Sequence, residues 1–78
     1  MAAARFEIAG DACPQLLNRL LGLLAQQDRV PDSVIARREG DMLSIGIAID
    51  GIDPHRAEII AEKMRSMVSV LHVQTQLD

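Results

Sequence analysis

Residues 42–64 read MLSIGIAIDGIDPHRAEIIAEKM, and within this stretch the hydrophobic period changes from two to three or four. In the first half Leu43, Ile45, Ile47 and Ile49 alternate with Met42, Ser44, Gly46 and Ala48, the pattern of a strand with one apolar face and one small or polar face. Asp53 then stands where a helix N-cap is wanted, with Pro54 at the first helical position. Ala57, Ile60, Ala61, Met64 and Met67 follow at helical spacing, while His55, Glu58, Glu62 and Arg65 take the wet side. A strand turning directly into a helix is therefore the fixed point of the chain.

The flanking segments extend the pattern in both directions. Upstream, Glu39-Gly40-Asp41 is a tight turn, and PDSVIARREG (residues 31–40) is a second, less regular strand. Pro14 to Gln27 carries a helix stripe of Leu17, Leu20, Leu21 and Leu24, which Leu16 and Leu23 widen beyond what one sheet can cover. In ARFEIA, Phe6 and Ile8 alternate with Arg5 and Glu7, a strand with one dry face. Downstream, VLHVQTQL alternates Leu71, Val73, Thr75 and Leu77 with His72, Gln74 and Gln76. The order strand, helix, strand, strand, helix, strand predicts an α+β fold, the ferredoxin-like βαββαβ sandwich: a four-stranded antiparallel sheet with two helices on one face. The wide leucine stripe, with the small Ser44, Gly46 and Ala48 on the third strand, predicts at least a homodimer.

Composition narrows the function. A chain of 78 residues is expected to be a single domain, residues 1–78, burying only ~60% of its unfolded surface, so a partner surface is expected. It is 49% hydrophobic yet has one aromatic residue, Phe6, so the core is aliphatic. Eight basic against eleven acidic residues give a net charge of −3, which disfavours nucleic acid and anionic lipid. One cysteine excludes an internal disulfide and a cysteine-rich metal site, and no apolar run approaches the ~20 residues of a membrane span. The MAAA start lacks the basic and apolar regions of an export signal, so a cytoplasmic location is expected.

The fold hosts many functions, which residues must separate. RNA recognition needs exposed aromatics on the central strands, where Arg5, Glu7 and Ser44 stand instead. A metal carrier would place two cysteines in the first loop, and a small hydrolase an arginine-rich anion cradle; GDACPQ has one cysteine and no arginine. Cys13 at a helix start has no base to activate it, because His55 belongs to the opposite end of the sheet and His72 to the face away from the helices. It reads as a small, half-buried residue. Asp50 and Asp53 around Gly51 read as turn and cap chemistry, with no metal; Arg37 and Arg38 read as a charged, solvated hairpin end that guards an edge strand. No acid, base and nucleophile converge, so no catalytic residue, cofactor or enzyme activity is expected.

PQLLNRLLGLLAQQDRVPDSV, a proline-led helix running into the second strand, and DPHRAEIIAEKM followed by VSVLHV together resemble the ACT domain. Within that group they are most similar to the short small subunits of acetohydroxyacid synthase (acetolactate synthase). The resemblance spans residues 4–77 and rests on order and spacing. It implies a non-catalytic regulatory and activating subunit for the thiamine diphosphate-dependent catalytic large subunit of branched-chain amino-acid biosynthesis. The alternative is a free-standing amino-acid sensor acting through its oligomeric state. It further implies homodimers paired through second strands and first helices. A branched-chain amino acid would then sit against Asp11, Ala12, Cys13, Pro14 and Gln15, with Val30, Pro31 and Asp32 across the interface. Effector-binding members usually carry Asn or Asp two residues before the proline and Gly directly after it, where this chain has Ala12 and Gln15. Weak or absent effector binding is the expectation that follows.

Overall fold

A computed structural model describes residues 3–78; Met1 and Ala2, half of the start read above for an export signal, lie outside the described residues. The chain forms β1 (Ala3–Asp11), α1 (Pro14–Gln26), β2 (Ser33–Glu39), β3 (Met42–Asp50), α2 (Pro54–Arg65) and β4 (Val70–Leu77). All strand pairs are antiparallel and the sheet order is β2-β3-β1-β4. This is the expected βαββαβ sandwich. The β2–β3 hairpin closes through Gly40-Asp41, with Gly40 at φ 62° in the first loop position, a conformation that glycine adopts without strain.

Alternation builds the core. Ala4, Phe6 and Ile8 of β1 pair with Ile49, Ile47 and Ile45 of β3, and all six side chains are buried on the helix side. The helices close over them with Leu16, Leu20, Leu23 and Leu24 from α1 and Ala57, Ile60, Ala61 and Met64 from α2. Ile52, just before the Asp53 cap, is also buried and fixes the entry to α2. Helix α2 packs over β4 and β1, which leaves β2 without a lid. Only Val34 of that strand is even half-buried.

Two assignments of inward faces are corrected. Leu16 and Leu23 belong to the core of their own chain, while Leu17 is half-buried and Leu21 is exposed. In PQLLNRLLGLLAQ both leucine phases satisfy helical spacing, and packing against the sheet selects one of them. Leu16 and Leu23 therefore give no support to a dimer interface. In β4 the inward residues are Val70 and Val73, and Leu71 is exposed. The cause is a bulge: Ala9 pairs with His72 and Gly10 with Val70, so Leu71 is the extra residue and the alternation changes phase.

Candidate functional site

The segment Asp11–Gln15 is tied down by backbone bonds. Asp11 N–H donates to Ser69 O at 2.9 Å, Ala12 N–H to Asp41 O at 2.9 Å and Cys13 N–H to Asp11 O at 2.7 Å. These bonds draw the end of β1 against the α2–β4 connection, and Gly10 makes the approach possible. A Cβ at Gly10 would lie 2.5 Å from Ser69 O and 2.7 Å from Leu16 Cδ2. Cys13 is the N-cap of α1 in an extended conformation, but its side chain caps nothing; Sγ donates to Gln15 Oε1 at 3.0 Å. The first turn of α1 thus has no side-chain acceptor, the condition under which a helix start attracts an anion. Gln15 is exposed beside it.

Val30, Pro31 and Asp32 sit at the far end of the sheet. Asp32 N–H donates to Ala48 O at 2.8 Å and its Oδ2 accepts from Asp50 N–H at 2.6 Å. Ala12, by contrast, bonds Asp41 at the opposite end of β3, roughly 25 Å away along a nine-residue strand. One chain therefore does not bring residues 11–15 and 30–32 together; a second copy is required for that. His55 begins α2 at this far end, and His72 pairs with Ala9 on the sheet face away from the helices. Cys13 has neither histidine as a neighbour.

The Asp50-Gly51-Ile52-Asp53 turn resolves into local chemistry. Gly51 takes φ 70°, and Asp53 Oδ1 accepts from Arg56 N–H at 2.9 Å. That bond, foremost, holds the Asp53 carboxyl below its ordinary value. Among the described residues no three His, Cys, Asp or Glu side chains cluster. Arg37 and Arg38 lie on exposed β2, where Arg38 Nε donates to Gly40 O at 2.9 Å and braces the hairpin end.

Four surface recesses lie away from residues 11–15. Two adjoin on the open sheet face, about 240 and 140 Å³, floored by the small β3 residues and walled by Glu7 and Ile35. A third, about 320 Å³, lies on the outer side of α2 along His55, Ile59 and Glu62. The fourth, about 420 Å³, is bounded by Gln26, Gln27, Asp28, Arg29 and Arg56, residues to which the sequence reading gave no role. Here α1 ends through Asp28 N–H to Ala25 O and Arg29 N–H to Leu24 O, at 3.1 and 2.8 Å. Asp28 takes the left-handed position at φ 58°, where glycine usually serves. The available signal was the first turn of α2, which carries His55 and Arg56 and no acid.

The family model described as an ACT-like domain matches residues 1–77. No curated protein matches the sequence. Among solved structures, the ACT domain of GTP pyrophosphokinase from Chlorobium tepidum is similar at TM-score 0.83 and 15% identity, over 95% of this chain and 96% of that one. A homoserine dehydrogenase from Thiobacillus denitrificans gives 0.79 at 13% identity, over 96% of this chain and 17% of that one. The ligand-free regulatory subunit of aspartate kinase from Thermus thermophilus gives 0.73 at 14% identity, over 97% and 50%.

Proposed function

Because the chain belongs to the ACT-like domain family, we propose that it is a non-catalytic regulatory subunit that pairs through β2 and activates a separate catalytic chain. ACT domains are regulatory, amino-acid-sensing modules that commonly dimerise and act on partner enzymes. The observation that carries the pairing is the bare second strand. Its outer edge has no neighbour in the sheet, Ile35 is 67% exposed, and Ala36 is exposed although it points to the helix side. The charge that guards this edge, Arg37 and Arg38, is confined to its hairpin end, and Val34 to Ala36 remain a template for a further strand. The other edge, β4, is blunted by the Leu71 bulge, so β2 is the better donor of backbone groups.

Pairing two copies antiparallel through β2 sets the Val30–Asp32 end of one beside the hairpin end of the other, where Asp11–Gln15 is anchored to Asp41. The effector site implied by the resemblance is then a shared one, built from residues 11–15 of one chain and 30–32 of its neighbour. For the catalytic partner, the support is the resemblance of residues 14–34 and 53–73 to the small subunit of acetohydroxyacid synthase. The chain then serves as the activator of that thiamine diphosphate-dependent large subunit.

The test is retention of a large synthase chain from source-cell lysate by the tagged protein, followed by assay of acetolactate formation with and without it. Retention and a gain in activity are expected. A chain that changes its sedimentation with an amino acid while retaining no enzyme would instead be the free-standing sensor.

A further inference from the structure

We propose that the outer edge of β4 is a second strand-pairing site, for the β4 edge of another copy of this chain, and that Arg65, anchored by Glu58 and Glu62, holds it shut. This edge is distinct from β2 and takes no small ligand.

The register fixes which backbone groups are available. Asp78 N–H donates to Ala3 O at 3.0 Å, and antiparallel pairs alternate between exchanging both hydrogen bonds and exchanging none. Along the pairing with β1, Gln76 and Gln74 therefore bond to β1, while Leu77, Thr75 and Val73 turn their N–H and C=O groups outward. The Leu71 bulge disturbs only the other end of the strand, and from Val73 to Leu77 the register is unbroken. The strand has no protection of its own. VLHVQTQL contains no Asp, Glu, Lys, Arg, Pro or Gly, the composition of a segment that pairs readily with copies of itself.

The protection comes from α2, which packs over β4. Both ion pairs among the described residues converge on one of its side chains: Arg65 Nη1 lies 3.3 Å from Glu58 Oε1 and 3.1 Å from Glu62 Oε1. The other guanidinium nitrogen, Nη2, donates to Val73 O at 3.3 Å. That oxygen is one of the outward groups. Exposed ion pairs add little stability, but two carboxylates on one guanidinium fix where it points. An incoming strand has to displace Arg65 from Val73 O before it can pair. A second β4 is the occupant that fits, because antiparallel pairing about Thr75 sets Val73 against Leu77 of the other copy and Gln74 against its Gln76, with no like charges opposed. Where copies also pair through β2, an open β4 would let the sheet grow without limit, and a shut one ends it at two chains.

The test compares the parent with Arg65→Ala, and with Glu58→Gln plus Glu62→Gln, which keeps the arginine and removes its anchors. At matched concentration Arg65→Ala is expected to sediment as species of at least twice the parent's mass, and the double glutamine variant to shift the same way. Backbone hydrogen exchange should show the Thr75 and Leu77 N–H groups, open in the parent, newly protected. Adding Gln76→Lys, a charge at an exposed position of the edge, should return Arg65→Ala to the parent's size. The proposal is overturned if folded Arg65→Ala sediments like the parent, if it grows while Thr75 and Leu77 stay open, or if Gln76→Lys leaves the growth unchanged. Should Arg65→Ala melt too low for comparison, the double glutamine variant decides by the same readings. A parent that sediments as a monomer would remove the β2 pairing and not this inference, which is read from the change when Arg65 is released.

Discussion

Both helices of this protein open with a proline after a capping residue, and the two starts are held in different ways. At α2 the Asp53 carboxylate accepts from Arg56 N–H, so the start is satisfied by its own side chain. At α1 the Cys13 thiol turns to Gln15 and leaves the first turn without a side-chain acceptor. Packing replaces the cap: Gly10 lets Ser69 and Leu16 close on the end of β1. At α1 Pro14 carries no N–H and Leu16 N–H donates to Cys13 O at 3.1 Å, so Gln15 N–H is the one first-turn donor that a side-chain cap would otherwise take. The effector site proposed above lies at the start without a side-chain cap.

The sharpest way to break this comparison is to remove the packing. Leu16→Ala, at a side chain 1% exposed, should cost about 3 kcal/mol, within the range for buried leucines, whereas Leu21→Ala at 37% exposure should cost under about 1 kcal/mol. Similar losses at both would return Leu16 to the surface role its spacing first suggested. Gly10→Ala follows, at about 2 kcal/mol, because the new methyl meets a backbone oxygen that cannot move aside cheaply. Urea unfolding of each variant gives the values, and a Gly10→Ala chain as stable as the parent would remove packing as the device that holds α1.

The next effect is smaller and falls on the capped start. Asp53→Ala should lower Tm, with Asp53→Asn restoring most of the loss, since an amide oxygen still accepts from Arg56 N–H. The two differ in acid. The folded Asp53 carboxyl titrates below its ordinary 3.8, chiefly because it accepts that backbone bond. Its contribution is therefore complete above 3.8 and is lost as pH falls through the lower, folded value. Replacing it by Asn should flatten that part of the acid limb of Tm against pH, and an unchanged limb would mean the bond is not formed in solution.

What the sequence made legible follows the same division. Ile45, Ile47 and Ile49, the Asp53-Pro54 start and the stripe of α2 are local patterns, and local patterns survive folding unaltered. Leu71 was assigned inward because alternation was carried unbroken through β4, whereas the bulge that reverses it arises from the meeting of Gly10 with Val70, sixty residues away. The choice between leucine phases in α1 was equally a matter of what the sheet would accept. Residues 11–15 and 30–32 entered through family resemblance, and the structure sets them at opposite ends of the sheet. Arg29 and Arg56 drew no notice because only the packed helices bring them to one recess.

At the uncapped start, Cys13→Ala should change stability by no more than about 1 kcal/mol and leave activation of a partner enzyme unchanged, because the thiol bonds only to an exposed glutamine. Loss of activation in a folded Cys13→Ala chain would show that the thiol has a chemical role. Cys13→Asp sharpens the contrast by giving α1 the cap that α2 has, and should raise stability by about 0.5–1 kcal/mol. The same carboxylate would accept from the first-turn backbone and repel any incoming anion.

The smallest expected effect is none: valine should leave the melt of the parent chain unmoved. For a branched-chain amino acid to reach the α1 start, its carboxylate must approach the first-turn backbone closely, and Gln15 places an exposed side chain there, bonded to Cys13 Sγ at 3.0 Å. Ala12 offers no amide for the ligand's polar end, and one chain alone leaves Val30–Asp32 at the far end of the sheet. The melt is sensitive enough to decide. A micromolar site at millimolar valine would add about 4 kcal/mol of stability. Gln15→Gly removes the obstruction and should create valine binding only at concentrations where sedimentation shows a dimer, since the proposed site takes its second half from a neighbouring chain. Valine binding by the parent would mean that Asp11 and the loop adjust to receive it. Binding by a monomeric Gln15→Gly chain would mean that the α1 start suffices without residues 30–32.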